Sequence, residues 1–465
     1  MKNTRRILAL LMITGISLLF AGISGITGWF GWMPRLQLLP AVMALNIGVI
    51  IGIVLLTLLL GRIYCSVICP LGVMQDGISH IGVLAKKLRK NNKPYHFRKE
   101  LKWLRYGVWV LFVAALIAGV QAFVAVLAPY SAYGRIIQSI VHFKAGTVLA
   151  AACATLLATG ILAWFTGREY CNAICPVGTT LSFFSRFAAF RPVIDADKCK
   201  DCRQCEYNCK ASCIDVASHS IDYSRCVDCF NCLGHCKFDA LHYKFAWGSK
   251  APAKEEDTTG NGRRAFLSAA AIGLGTTALR AQGKKVDGGF ASVLPKQAPE
   301  RETPITPPGS AGVKDFYSKC TACQLCVAVC PNKVLRPSAG LEHLMQPCMS
   351  YEDGYCRPEC TECSQVCPSG AIIKINREQK TQYHVGTARV NRELCVAEKG
   401  TSCGNCARHC PVGAISMVAA ADGSGHSIPV VDESVCIGCG ACEFLCPSRP
   451  ISAISVNGRN NHLDS

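Results

Sequence analysis

The chain has 465 residues, 31 of them cysteine, with 50% apolar residues and a formal net charge of +18. It is too long and too apolar for a small disulfide-stapled scaffold, and an odd cysteine count argues against a complete disulfide framework. No Cys-x-x-Cys-His string signals covalent haem, and the +18 takes no account of whatever the cysteines bind.

Four apolar runs come first: Ile7–Thr27, Ala41–Leu60, Leu104–Ala128 and Gly146–Phe165. Each has about 20 residues, enough to cross a hydrocarbon core of roughly 30 Å. Lys2, Arg5 and Arg6 precede the first run, and Arg62, Lys86, Lys87, Arg89, Lys90, Lys93, Arg98, Lys99 and Lys102 lie between the second and third. The opposite loops hold only Arg35, Arg135 and Lys144. Basic residues favour the cytoplasmic side, so the N-terminus is expected inside and the fourth helix returns there. Residues 1–192 therefore read as a four-helix membrane domain of the bacterial inner membrane, with Trp29, Trp32 and Tyr130 as interfacial aromatics.

The second run ends in Gly61-Arg62-Ile63-Tyr64-Cys65-Ser66-Val67-Ile68-Cys69-Pro70-Leu71-Gly72, and the fourth in Gly167-Arg168-Glu169-Tyr170-Cys171-Asn172-Ala173-Ile174-Cys175-Pro176-Val177-Gly178. This is one motif used twice. A spacing of four puts both thiols of a copy on one helix face. Both copies are expected at the cytoplasmic surface. If the helices meet, Cys65, Cys69, Cys171 and Cys175 form a complete set for copper or an iron–sulfur group; the alternative is reduced thiols at helix ends. Cys153, inside the fourth run, reads as a small apolar filler. Cys213 and Cys348 read as spare thiols near other sets.

Residues 193–245 carry two runs of the bacterial ferredoxin type, Cys199, Cys202, Cys205, Cys209 and Cys226, Cys229, Cys232, Cys236. In such runs three cysteines hold one 4Fe–4S cluster and the fourth holds its neighbour. The expected groups are Cys199, Cys202, Cys205 with Cys236, and Cys226, Cys229, Cys232 with Cys209. Zinc is the alternative for isolated Cys-x2-Cys pairs.

Residues 246–262 read as a polar linker. Gly262-Arg263-Arg264-Ala265-Phe266-Leu267 opens the apolar run Ala265–Leu279 and resembles a twin-arginine export signal, so residues 263–282 are expected to form a signal-anchor helix. An arginine pair at a helix start also serves as a plain positive-inside anchor. Residues 283–312, rich in Pro, Gly and charge, read as a flexible linker.

Residues 313–465 hold four further sets, each ending in Cys-Pro: Cys320, Cys323, Cys326, Cys330; Cys356, Cys360, Cys363, Cys367; Cys395, Cys403, Cys406, Cys410; and Cys436, Cys439, Cys442, Cys446. The first and last are regular and the middle two are not. Pairing regular with regular would nest one ferredoxin fold inside another, which matching loop shapes favour; neighbour pairing is the other possibility. The expected fold class is membrane α-helical, four helices plus one signal-anchor helix, with α+β bacterial-ferredoxin-like domains on both sides and six 4Fe–4S clusters.

With these motifs in view, residues 1–245 resemble NapH and residues 260–465 resemble NapG, down to the Cys395-x7-Cys403 spacing; the second outer set departs from the longer gap often seen there. The membrane half is also similar to the NosR and CcoG groups and to the MauM/MauN pair. The NapH/NapG resemblance implies oxidation of quinol from the membrane pool and delivery of electrons to a periplasmic reductase or cytochrome c. Other membrane subunits are further expected partners, and nucleic acid is not. No quinone site is legible; Arg35, Gln37, His80 and His142 are candidates near helix ends. The NosR/CcoG likeness keeps open a metal-reducing or maturation factor, and a relay subunit of a larger respiratory complex is a third reading.

The charge separates along the same lines. Residues 1–282 carry 31 basic and 14 acidic side chains, residues 283–465 carry 18 and 17. Each oxidised cluster with four thiolates adds about −2, so the loaded outer domain is expected to be acidic and to suit a basic partner.

Overall fold

The computed structural model describes residues 1–22, 27–88, 95–118, 120–141, 147–246, 294–338, 340, 342–420 and 425–463. The export motif Gly262–Leu267, the run Ala265–Leu279, the tether Trp247–Asn261 and His142 lie outside these residues.

The apolar runs do form helices, but not four uninterrupted ones. Lys2–Phe20 and Val148–Thr166 are long and apolar enough to cross a membrane, and Ile47–Leu60 is a shorter apolar helix. The second expected run breaks because Leu45 takes a left-handed conformation (φ 51°) and the Asn46 side chain caps the new helix, accepting from the Val49 N–H at 3.3 Å. Its first part, Leu38–Met43, is a separate short helix. The third run likewise divides into Lys102–Ile117 and Gln121–Leu127. Cys153 is exposed on the helix Thr147–Thr166, so the expectation of a buried filler is wrong. The bundle's outer faces carry exposed Ile7, Leu10, Ile51, Leu55, Val110, Leu111, Leu157 and Ile161.

The module after the bundle is a small antiparallel frame. Strand β1 (Phe190–Ile194) pairs with β4 (Leu241–Phe245), in register Val193 with His242, and encloses the short pair β2 (Ile214–Asp215) and β3 (Ser220–Ile221). Phe230 meets Tyr243 edge-on at 5.0 Å, and Phe190 meets Phe245 at 5.5 Å. Ile214, Val216, Ile221 and Leu241 form its core together with cluster-set cysteines. A module of about 50 residues buries too little apolar surface to stand on core packing alone.

The C-terminal module opens with β5 (Leu335–Pro337) against β6 (Pro347–Met349). Its second half repeats the frame: β7 (Gly386–Val390) pairs with β10 (Ile454–Gly458), and β8 (Ile415–Ala419) with β9 (Ser427–Val431). A buried ion pair, Arg301 to Glu443 at 2.6 Å, ties the incoming segment to this half, and Glu443 also accepts from the Val456 N–H at 2.8 Å.

The two modules sit at opposite ends of the bundle. Leu58 and Leu60, at the C-terminal end of their helix, give carbonyls to the Ala189 N–H (2.8 Å) and the Tyr243 hydroxyl (3.2 Å). At the other end, Gly22 follows the Lys2–Phe20 helix with φ 70°, and a Cβ there would overlap the Ala328 carbonyl oxygen. Ser131 and Gln121 donate to the carbonyls of Thr321 (2.7 Å) and Ser318 (2.8 Å). Arg35 donates to the Gln365 carbonyl at 3.1 Å.

Candidate functional site

The four regular cysteine sets share a backbone device. The second and fourth residues after the first cysteine have positive φ in all of them: Asp201 and Arg203, Asp228 and Phe230, Ala322 and Gln324, Gly438 and Gly440. Alternating right- and left-handed residues turn successive N–H groups to one side, which suits an anionic sulfur ring. The Asp228 and Ala322 N–H groups accordingly donate to the Cys226 and Cys320 sulfurs. Gly-x-Gly in the last set was the visible trace of this pattern in the sequence.

The cavities report which cysteines belong together. Cys199, Cys202, Cys205 and Cys236 line one, and Cys209, Cys226, Cys229 and Cys232 another, with Cys213 beside them. In the C-terminal module Cys330, Cys356, Cys360 and Cys363 share a cavity, as do Cys410, Cys436, Cys439 and Cys442. Cys395, Cys403 and Cys406 share one with Cys446. Cys367 neighbours Cys320, Cys323 and Cys326. Neighbouring sets therefore exchange their fourth cysteine, and the nested arrangement expected from loop regularity is incorrect. The physical reason is the frame: β7 and β10 bracket the third and fourth sets alone, closing them into one unit whatever their loop lengths. Cys348 lies on β6 with half-buried surroundings and lines none of these cavities.

The donor sets fit 4Fe–4S groups. Among the described residues, the one trio of ligand atoms found within 4.8 Å of one another is Cys199, Asp201 and His219, with only one thiol in it. A single zinc ion draws its sulfurs to about 3.8 Å from each other, closer than any three of these thiols lie. Burial pushes the Cys205 and Cys406 thiols up to about 11, so binding iron there displaces protons.

The two Cys-x3-Cys-Pro copies do meet, inside the bundle and against the inner module, where the Arg168 N–H donates to the Lys210 carbonyl at 2.8 Å. Cys65, Cys69, Cys171 and Cys175 are all buried. Neither copy is a plain α-helix. The Cys69 N–H reaches back five residues to the Tyr64 carbonyl (3.0 Å) and the Cys175 N–H to that of Tyr170 (2.9 Å). Each second cysteine then stands at the N-terminus of a following helix, Pro70–Leu88 and Pro176–Ser185. There the Cys175 sulfur accepts the Gly178 N–H at 3.4 Å. A helix N-terminus favours thiolate.

The copies are locked by exchanged arginines. Arg62 donates to the Cys171 carbonyl (3.1 Å) and lies 3.9 Å from the Cys65 sulfur. Arg168 donates to the Cys65 carbonyl (2.8 Å) and lies 3.8 Å from the Cys171 sulfur. Both are completely buried. Gly72 and Gly178 make the exchange possible, since a Cβ on either would lie 2.7 Å from the opposing guanidinium. Asp76 pairs with Arg168 at 3.0 Å, and also meets Arg5 (3.1 Å) and Lys210 (3.3 Å). Arg62 instead reaches neutral acceptors, Asn172 Oδ1 and the Ser224 carbonyl, both at 2.9 Å.

Arg62 Nε, Arg168 Nη2 and Gln75 Nε2 are buried donors with no acceptor among the described residues, on side chains that face the thiols. Thiolate and inorganic sulfide are acceptors of the right kind, and their negative charge answers the buried cations. The residues thus fit an anionic metal–sulfur centre. Asp228 closes the inner side: a Cβ on Gly61 would strike its carboxylate, and burial pushes its carboxyl up to about 7.

Of the quinone candidates, Gln37 is buried and accepts the Tyr64 hydroxyl at 3.2 Å, Arg35 binds the C-terminal module, and His80 is exposed.

A family model described as a 4Fe-4S binding domain matches residues 42–91 and 148–193, the stretches that carry the two Cys-x3-Cys-Pro copies. Another of that description matches residues 313–336, and a 4Fe-4S dicluster domain matches 399–449. The methylamine utilization ferredoxin-type protein MauM of Methylobacillus flagellatus is 33% identical over 165 residues, 34% of this chain and 70% of that protein. MauM of Paracoccus denitrificans is 33% identical over 178 residues, 36% of this chain and 79% of that protein. The chain belongs to the MauM family of ferredoxin-type proteins. The ferredoxin-type protein NapF of Escherichia coli is 28% identical over 170 residues, 36% of this chain and 96% of that protein. No solved structure matches. This chain is an iron–sulfur ferredoxin-type electron-transfer protein, with a helical bundle beside its ferredoxin modules.

Proposed function

We propose that the chain is a membrane-bound electron-transfer protein of the NapH/NapG quinol-dehydrogenase type, holding six 4Fe–4S clusters on the 24 cysteines of its six sets. In this reading residues 1–192 span the inner membrane, residues 193–245 lie in the cytoplasm and residues 313–465 in the periplasm. The residues between form a linker, a signal anchor (263–282) and a second linker. Two apolar helices of crossing length and exposed apolar side chains around the bundle support the membrane part.

One observation carries the proposal: the four-thiol site lies between the two cluster modules, in one continuous core. That core includes Cys65, Cys69 and Cys175 together with Val227 of the inner module and Cys323, Leu325 and Val366 of the outer. One-electron carriage is the chemistry that 4Fe–4S groups supply when bound. The chain supplies the order of the sites and their insulation. Arg62 and Arg168 hold the sulfurs of the central site, and the buried Tyr64 and Tyr170 rings pack beside it. A metal–sulfur centre at Cys65, Cys69, Cys171 and Cys175 would bridge the roughly 30 Å of hydrocarbon that otherwise separates inner from outer clusters.

The test is quinol-dependent reduction of a membrane-impermeant acceptor by the full chain in sealed vesicles. Cys69→Ala is expected to lower the rate by about two orders of magnitude or more, with the iron of both modules retained. An unchanged rate would remove the central site from the route. Copper at the four thiols with no quinol activity would replace the whole reading by a metal-handling one.

A further inference from the structure

Five thiols surround the inner cavity next to the bundle, where the other cavities have four. Cys213 is 1% exposed and lines the cavity with Cys209, Cys226, Cys229 and Cys232. Four cysteines each line those around Cys199, Cys330, Cys395 and Cys410. The Cys213 sulfur is 3.6 Å from that of Cys209 and also hydrogen-bonds Cys226. A buried cysteine is ordinarily a small apolar filler, but this one touches two sulfurs of a single set.

The backbone is arranged to bring it there. Ser212 stands in the left-handed region (φ 51°), a conformation that an L residue adopts at a cost. Its N–H donates to the Cys209 carbonyl at 3.1 Å, folding the chain back on itself. The Asp222 N–H then fixes the Cys213 carbonyl at 2.9 Å. This turn lies at the seam with the bundle, since Lys210, next to Cys209, accepts the Arg168 N–H at 2.8 Å.

We propose that Cys213 is a reserve ligand for the cluster of Cys209, Cys226, Cys229 and Cys232, an inference that rests on the reading of this cavity as a 4Fe–4S site. In the resting state its thiol donates to the ligand sulfurs. In the exchange, the iron–sulfur bond to Cys209 breaks as one to Cys213 forms, and the Cys213 proton passes to Cys209. Iron keeps its oxidation state and its count of thiolates, and no outside reactant enters. The cluster at the seam thereby has two interchangeable fourth corners.

Iron content and low-temperature electron paramagnetic resonance of the full chain, purified without oxygen, test this in four variants. Cys232→Ala, at a corner outside the two sulfur contacts of Cys213, must lose iron; if it does not, the cavity holds no cluster and both readings fall. Given that loss, Cys209→Ala is expected to keep wild-type iron with a shifted spectrum, and Cys209→Ala/Cys213→Ala to lose about four irons per chain. Equal loss in the single and double variants, or full iron in the double, overturns the reserve ligand while leaving the cluster reading intact. Cys213→Ala gives a second readout independent of whether Cys209→Ala folds. It is expected to retain iron but lower that cluster's midpoint potential, because donors to its sulfurs are gone; an unchanged potential overturns the proposal.

Discussion

In the regular ferredoxin loops, three sulfurs of every cavity come from one stretch of chain, whereas at the bundle centre no segment supplies more than two. The contrast extends to how each place stabilises sulfur. The loops do it with backbone N–H groups, turned inward by left-handed residues two and four places after the first cysteine. The bundle does it with two buried guanidiniums and two helix N-termini. A backbone device is indifferent to side chains, and Asp, Arg, Phe, Ala, Gln and Gly all occupy the left-handed positions. A side-chain device is not, and the bundle repeats Gly-Arg-x-Tyr-Cys-x3-Cys-Pro-x-Gly almost letter for letter.

Substitutions separate the two designs. The largest effect is expected from Arg62→Gln, which strips a fully buried cation from two carbonyls and a thiol. Each buried acceptor left unsatisfied costs about 1–3 kcal/mol. Thermal unfolding of the bundle should shift downward and any metal of the four thiols should be lost, with module iron unchanged; Arg62→Lys keeps the charge but not the fork and should rescue only in part. Equal loss of module iron would show that the two designs are not separate. Gly72→Ala comes next. Its Cβ would overlap the Cys65 carbonyl and press on Arg168, a cost of about 1–3 kcal/mol by overpacking, read by the same melt. Gly440→Ala is the counterpart in a loop. With φ 77° and the Tyr351 ring against the added carbon, it should cost about 1–2 kcal/mol. It should release iron from the C-terminal module alone.

The smallest effect concerns pH. Burial holds His462 below its ordinary pKa, where it hydrogen-bonds Ser310 at 3.0 Å. The unfolded chain binds this proton first, so stability is full above about pH 6.5 and falls as pH drops from there toward the depressed folded value. His462→Gln should flatten that acid limb in denaturant melts of the full chain at pH 5 and 7.

The difference in design also explains what the sequence disclosed. Cysteine spacing made the grouping of the inner cavities legible, because the wrapping loop is local. The pairing of the outer sets was not, since it depends on β7 and β10 closing around residues 395–446, a long-range fact that loop regularity does not encode. The repeat flagged four thiols, and their meeting needed only that two helices touch. Its arginines carried no visible role, because each acts across the repeat on the other copy. Cys213 was passed over for a related reason: nothing in a spacing rule marks a thiol that a strained serine folds back. The breaks at Leu45 and Asn46 were hidden by hydropathy, which registers composition and not caps.

The exchanged arginines have one more consequence. Arg62 reaches the carbonyl of Cys171 as Arg168 reaches that of Cys65, so residue and partner swap roles across an axis between the copies. That is the logic of an isologous interface, in which one surface patch meets itself. Neither copy alone could satisfy its own guanidinium or fill a four-sulfur shell, so each half of the bundle is a protomer without independent standing. Joining them in one chain frees the two sides to differ. Asp76 now neutralises one arginine while the other turns to Asn172 and Ser224, an inequality that no symmetric dimer could have.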